Sequence, residues 1–306
     1  MVRLAGRVHH GGTTPELTVE FSPLLAALIA FGISSIMSVG GISGAFLLLP
    51  FQVSVLGFTG PAVTPTNHLY NVVAIPSGVW RYLREGRMLW PLTTIIVMGT
   101  VPGVIAGSLL RLWLLPDPRH FKLFVGCVLL FIGSRVAAKV LRPPAQVTAP
   151  AGRFVVEVTR FDLQKLEYRF QDTVHGVSVP RLALLTAVIG VIGGAYGIGG
   201  GAIIAPVLVS VWGLPVHTIA GACLFGTFVT STVGVAFFWV LSVAFGVASA
   251  MPDWALGLSF GVGGLLGTYT GARLQRWIPA RAIESLLALV VSGLGLSYAL
   301  GFVLAR

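Results

Sequence analysis

Charge is scarce in this chain, and where it is missing says more than the total. Only 10% of the 306 residues are Asp, Glu, Lys or Arg, against roughly 25% in soluble domains. None occurs between Phe21 and Trp80, and from Leu182 to Ala272 Asp253 stands alone. No acidic residue falls mid-span, so a cation channel built on an Asp or Glu ring has no support. Cysteine is equally sparse. Cys127 and Cys223 both lie in apolar segments, and neither a disulfide framework nor a zinc site follows. Enzyme signatures are missing: no His-x-x-x-His and no phosphate loop ending in Gly-Lys-Ser/Thr. Catalysis, a metal centre, a cofactor and ATP-driven pumping are therefore unsupported. An apolar signal-peptide core is absent from the first twenty residues, which carry Arg3, Arg7, His9 and His10. They read as a polar tail, 1–20.

What is present is hydrocarbon. Mean hydropathy is +0.90 and hydrophobic residues make up 55% of the chain. The uncharged runs exceed the ~20 residues one helix needs to cross a bilayer, so each holds more than one span. Continuous apolar runs with little two-residue alternation choose helices over a barrel. The expected fold is an all-α polytopic, multi-pass protein of the inner (cell) membrane. Its segments run from about Phe21 to Phe58, Thr66 to Tyr82, Leu89 to Leu115 and Arg119 to Leu141 in one half. In the other they run from Leu182 to Trp212, Val216 to Phe245, Trp254 to Ile278 and Ile283 to Leu304. This divides the chain into a first membrane repeat, 21–141, a polar central loop, 142–180, and a second repeat, 181–306. In the loop, Phe154–Phe161 and Leu166–Phe170 suit two short strands of a β-hairpin. The net charge of +10 is read as loop Lys and Arg that orient helices rather than as a nucleic-acid surface. On that rule an internal N-terminus conflicts with the basic bends at Arg111–Lys122 and Arg273–Arg281, so span parity and repeat orientation stay open.

The chain also says nearly the same thing twice. Gly41-Ile42-Ser43-Gly44-Ala45, four apolar residues and Pro50 return 156 positions later as Gly197-Ile198-Gly199-Gly200-Gly201, four small or apolar residues and Pro206. At the same offset Gly57 meets Gly213, Asn67 meets Cys223, Asn71 meets Thr227 and Gly78 meets Gly234. Glycine costs a helix interior roughly 1 kcal/mol relative to alanine, so both first segments are expected to break. Unwound backbone at membrane depth is tolerated where it is buried in protein or lines a cavity. Paired broken helices are how secondary transporters build a substrate site, with freed amides and helix dipoles facing an anion. Close helix packing through small residues is the competing reading. After each break comes a polar stripe: Thr64, Thr66, Asn67, Tyr70 and Asn71, then Cys223, Thr227, Thr230 and Ser231. Asn67 and Asn71 share one helix face and offer donors without fixed charge, although interhelical hydrogen bonding also uses such residues. His68 is a candidate for proton coupling or a neutral hydrogen-bonding residue. Asp253 and Glu284 read as helix caps. A second small-residue set, Gly99, Gly103 and Gly107, recurs as Gly263, Gly267 and Gly271 and reads as packing.

The two glycine-rich segments ending in Pro50 and Pro206, the following Gly57 and Gly213, and Gly271-Ala-Arg-Leu274 resemble the TauE/SafE family of sulfite exporters. The resemblance runs from about Phe21 to Leu300, outside the tail and the central stretch. It implies a duplicated carrier, not an enzyme, for sulfite, sulfoacetate or a related sulfonate. The family's glycine signature falls on Gly41, Gly44, Gly197, Gly199, Gly200 and Gly201, with Ser43 where the second copy has Gly199. The expected substrate-binding set is Gly41, Ser43, Gly44, Asn67, Asn71, Gly197, Gly199, Gly200, Gly201 and Thr227, with transport by one repeat rocking against the other. Partners are a small anion and the bilayer; a homo-oligomer is possible but not indicated. Two alternatives remain at this point: a carrier of another small anion such as a carboxylate, and a non-transporting scaffold or receptor working through the central loop.

Overall fold

The computed structural model of the chain describes residues 3–4, 19–20, 22–39, 42–58, 60–141, 156–170, 173–274 and 280–304. Two-residue strands β1 (Arg3–Leu4) and β2 (Val19–Glu20) pair antiparallel near the start. Then come α1 (Pro23–Val39), α2 (Ala45–Ser54), α3 (Val63–Arg84), α4 (Trp90–Trp113) and α5 (Pro118–Leu141). A sheet of β3 (Val156–Phe161), β4 (Lys165–Phe170) and β5 (Thr173–Ser178) follows. After it come α6 (Val179–Tyr196), α7 (Gly200–Val211), α8 (Val216–Phe245), α9 (Trp254–Leu274) and α10 (Ala280–Leu304).

Among the described residues, four helices are long and apolar enough to cross a membrane: Trp90–Trp113, Pro118–Ala138, Val179–Tyr196 and Thr218–Phe245. Helix α3 is as long, with 22 residues, but is polar inside. Thr64, Thr66, Asn67, His68 and Asn71 are all buried on it. A helix carrying so many polar groups is stable at that depth only when neighbouring helices supply the partners. Helices α8 and α9 both pack on α3, and α4 packs on α8.

The remaining principal pairs are α1 with α9, α4 with α6 and α5 with α10. Small residues set the first two. Along α4, Gly99, Gly103 and Gly107 lie on the main chain or short side chains of α6, and Gly263, Gly267 and Gly271 of α9 lie on the main chain of α1. A Cβ on Gly267 would stand 2.5 Å from the Phe31 carbonyl oxygen. Gly267→Leu is expected to lower stability by about 3 kcal/mol, the cost of forcing packed backbones apart. Gly301→Leu, which meets open space, should leave the melting temperature in detergent nearly unchanged, and equal shifts in the two variants would refute this packing.

Strand β4 is central and antiparallel to both neighbours. Its alternation puts Leu166, Tyr168 and Phe170 inside. The Tyr168 hydroxyl lies 2.9 Å from Thr218 Oγ1 and ties the sheet to the start of α8. Asp162 shapes the β3–β4 turn, accepting the Gln164 and Lys165 amides at 2.8 and 2.7 Å and the Arg160 Nε at 2.6 Å. The two amides, and then the guanidinium, hold its carboxyl below the usual range. Two strands were expected here; β5 adds a third and runs directly into α6. Its Gly176 and His175 interrupt the apolar alternation that marks β4. Phe154, Val155 and positions 142–153 of the expected loop lie outside the described residues. Asp253 does cap α9, accepting the Leu256 amide at 2.9 Å. The side chain of Glu284 lies outside the described residues.

Candidate functional site

Each half has an interruption between its first two helices. Helix α1 ends at Val39 and α2 begins at Ala45, with Ile42, Ser43 and Gly44 buried between them. Gly41 lies outside the described residues. Ser43 Oγ accepts the Ala45 amide at 3.3 Å, and the Gly44 carbonyl accepts the Leu48 amide at 3.0 Å to start α2. In the other half α6 stops at Tyr196 and α7 starts at Gly200. The Gly193 carbonyl takes the amides of Gly197 and Ile198 at 2.8 and 3.2 Å, closing the last turn. Gly197 and Gly199 have φ of +86° and +72°, a region that side chains disfavour. Gly197 also presses on α3: a Cβ there would stand 2.6 Å from the Thr64 carbonyl oxygen. Gly200 and Gly201 open α7 so tightly that a Cβ would clash with Thr100 of α4 and the Cys223 carbonyl of α8, respectively.

Helix α3 brings the two interruptions together. The Asn67 side-chain nitrogen donates to the Ala45 carbonyl at 3.1 Å and to the Gly197 carbonyl at 3.1 Å. Its oxygen accepts Gln52 Nε2 at 3.2 Å. One turn on, Asn71 accepts the Ser43 hydroxyl at 2.5 Å and donates to the Ile198 carbonyl at 3.2 Å and Ser231 Oγ at 3.0 Å. An amide has two N–H donors, so both amides are fully engaged within the protein. Other ties run between the same halves. Pro50 has no N–H to give the carbonyl four residues back, and the Tyr196 hydroxyl reaches that carbonyl, Phe46, at 3.2 Å. Thr64 Oγ1 donates to the Ala195 carbonyl at 3.2 Å.

The structure thus brings Ser43, Gly44, Asn67, Asn71, Gly197, Gly199, Gly200 and Gly201 into one cluster. Thr227 borders it differently. Its hydroxyl returns to the Cys223 carbonyl of its own helix at 2.9 Å, and its methyl faces Gly199. Its neighbours reach further: Thr230 Oγ1 accepts the Gly200 amide at 3.4 Å, and Ser231 meets both Asn71 and His68. Sequence reasoning passed over Gln52, although it is the one amide in the apolar run of α2 and is fully buried. Arg111 was assigned to a basic bend and is instead buried in the last turn of α4. Its Nε donates to Thr64 Oγ1 at 3.2 Å, its two terminal nitrogens reach the Leu115 and Gly60 carbonyls, and its guanidinium stacks 3.8 Å from the Phe121 ring centroid. Leu110 and Leu115 beside it are indistinguishable in sequence from a helix end at the interface, so only the Pro116 and Pro118 turn hinted that the chain folds back there.

Chemically, the cluster is a set of neutral donors and carbonyls gathered where two helices begin. No group of three or more His, Cys, Asp or Glu that could hold a metal occurs among the described residues. Comparison with the curated proteins and with the solved structures gives no match. The family model for "Sulfite exporter TauE/SafE" matches residues 26–298, nearly the whole chain and all of the cluster. The chain belongs to the TauE/SafE sulfite exporter family, as a multi-pass membrane protein built on these apolar helices.

Proposed function

We propose that this chain carries a small sulfur-containing anion, sulfite, sulfoacetate or a related sulfonate, out across the inner (cell) membrane by alternating access. The site lies between two repeats of one unit, α1–α5 and α6–α10. Duplication is supported by the offset motifs and by the way helix contacts exchange. The α1–α9 pair answers α6–α4, and α3–α9 answers α8–α4.

The observation that carries the reading is a single nitrogen. Asn67 Nδ2 stands 3.1 Å from the Ala45 carbonyl, at the end of the first interruption where α2 starts, and 3.1 Å from the Gly197 carbonyl of the second, so the two breaks meet at one point. The bonds from Asn67 to Gly197, from Asn71 to Ile198 and Ser231, from Thr64 to Ala195 and from Tyr196 to Phe46 all cross between the repeats. Rocking one repeat against the other breaks them together. The freed amides then face the start of α7, where the helix dipole favours negative charge. Each such bond is worth about 1 kcal/mol net, so exchanging carbonyl oxygens for anion oxygens is nearly balanced. Neutral donors bind without holding, as turnover requires. An anion leaving a negative-inside cell moves downhill in potential.

Counterflow in proteoliposomes tests this: labelled sulfite should exchange against internal sulfite and not against internal acetate. Equal exchange with acetate would transfer the assignment to a carboxylate carrier, and no exchange with either would remove transport altogether. Gly200→Leu, which drives a side chain into Thr100, should reduce sulfite counterflow about 50-fold in protein that still inserts, for a packing penalty of roughly 2–3 kcal/mol.

A further inference from the structure

His68 is the imidazole on the buried face of α3, one residue from Asn67, and the carrier scheme above makes no use of it. It is fully buried. Its Nδ1 lies 3.2 Å from Ser231 Oγ. Ser231 Oγ in turn accepts Asn71 Nδ2 at 3.0 Å, and Asn71 Oδ1 accepts Ser43 at 2.5 Å. One unbroken chain of hydrogen bonds therefore joins the imidazole to both interruptions. The other ring nitrogen differs. Nε2 is buried against Gly234, where a Cβ would stand 2.9 Å away, and has no hydrogen-bond partner among the described residues.

Charging this ring requires two things at Nε2, a hydrogen-bond acceptor and a compensating negative charge. The helices around it bring a main-chain acceptor, the Gly194 carbonyl of α6, but no negative charge. Helix α8 presents Ser231, Gly234 and Phe238, the last 6.5 Å away ring to ring. Helix α6 brings Tyr196, whose hydroxyl is committed to Phe46. On α3 itself Tyr70 is paired with Ser34 at 2.6 Å. Helix α4 adds a like charge, Arg111, one turn away at Thr64. Helix α7 has no titratable side chain, and the Tyr269 and Arg273 of α9 are exposed. An oxyanion supplies the missing charge and, with it, an acceptor oxygen for Nε2.

Resting on the carrier reading, we propose that His68 takes up a proton when the anion binds and releases it when the anion leaves, so that the protein moves one proton together with each anion. A proton from the water on the loading side binds Nε2, Nδ1–H donates to Ser231, and the same proton departs with the anion on the far side. On uptake an O–H bond of hydronium breaks as N–H forms at Nε2, and on release N–H breaks as O–H re-forms, with no change of oxidation state. For a dianion one negative charge still crosses per cycle, so outward movement remains driven by the potential.

The test uses the full chain in proteoliposomes with a luminal pH dye and the potential clamped by a potassium ionophore. The probe is labelled sulfoacetate, whose charge is fixed from about pH 6 to 8 because its carboxyl titrates near 4; sulfite itself would take up protons there. Wild type should move close to one proton per sulfoacetate, and His68→Gln should lower that ratio at least about tenfold. Sulfoacetate counterflow without proton movement in wild type, or an unchanged ratio in His68→Gln, would overturn the coupling and leave the carrier standing. No counterflow of either sulfite or sulfoacetate would overturn both. Should His68→Gln fail to insert, Ser231→Ala carries the test. Loss of the Nδ1 partner should move the pH midpoint of sulfoacetate flux by about half a unit or more, and an unmoved midpoint would again overturn the coupling.

Discussion

Replacing Asn67 with aspartate is expected to silence sulfite flux, with a drop of about 100-fold or more. The change is nearly isosteric and keeps an oxygen for Gln52. It removes both donors, leaving the Ala45 and Gly197 carbonyls without their partner. It also sets a negative charge on the proposed path of the anion. Losing two buried hydrogen bonds costs roughly 2–4 kcal/mol, and repulsion of the substrate comes on top of that. The fall should be seen in counterflow at unchanged protein content, with elution as a folded species checked by size exclusion. Asn67→Ala should share the loss of the donors without the repulsion and so retain more flux than the aspartate. Flux within threefold of wild type in Asn67→Asp would mean that the amide is only a packing contact.

Gly197→Leu should have the larger effect on the protein itself. Two penalties meet at this position. Its φ of +86° is left-handed, which costs a side-chain-bearing residue about 1–2 kcal/mol. A Cβ there would also stand 2.6 Å from the Thr64 carbonyl and 3.0 Å from the Thr64 Cα. Neither neighbour is a flexible side-chain end, so α3 has to move away from the second interruption. We expect loss of folded protein from detergent extracts. Gly57→Leu is the matched control. It carries a φ of +67° but meets open space, so it bears the strain without the collision. It should fold with a stability loss of about 1–2 kcal/mol. If the two variants behave alike, strain rather than contact between α3 and the break governs this position.

Much of the helical frame was legible because hydrocarbon leaves little choice. Runs without charge have to be helices, and the proline-bearing turns mark their ends, as Pro91 and Pro180 do at the starts of α4 and α6. The cluster of glycines in the second half was legible for the same reason that it is costly: only glycine takes the left-handed backbone found at Gly197 and Gly199. What the one-dimensional pattern hid was partnership. Asn67 and Asn71 read as donors for a ligand, yet in the fold their amides bridge the two interruptions. Nothing in the spacing of Thr227, Thr230 and Ser231 says which hydroxyl turns back to its own helix and which reaches across. The fold assigns Thr227 to the first group and Ser231 to the second. Gln52 and Tyr196 are each a lone polar group near a proline or a break, and their partners lie 15 and 150 residues away in sequence. Arg111 looked like a loop charge because a buried arginine and an interfacial one carry the same neighbours in sequence.

The most direct measurement is a density map of the protein in lipid nanodiscs, with and without sulfoacetate. The account predicts anion density between the Ser43–Ala45 and Gly197–Gly201 segments. In its presence the Asn67 and Asn71 nitrogens should leave the Gly197 and Ile198 carbonyls and point at the sulfonate or carboxylate oxygens. Bound sulfoacetate elsewhere in the chain, with the two bonds from Asn67 to the Gly197 carbonyl and from Asn71 to the Ile198 carbonyl unaltered, would contradict it.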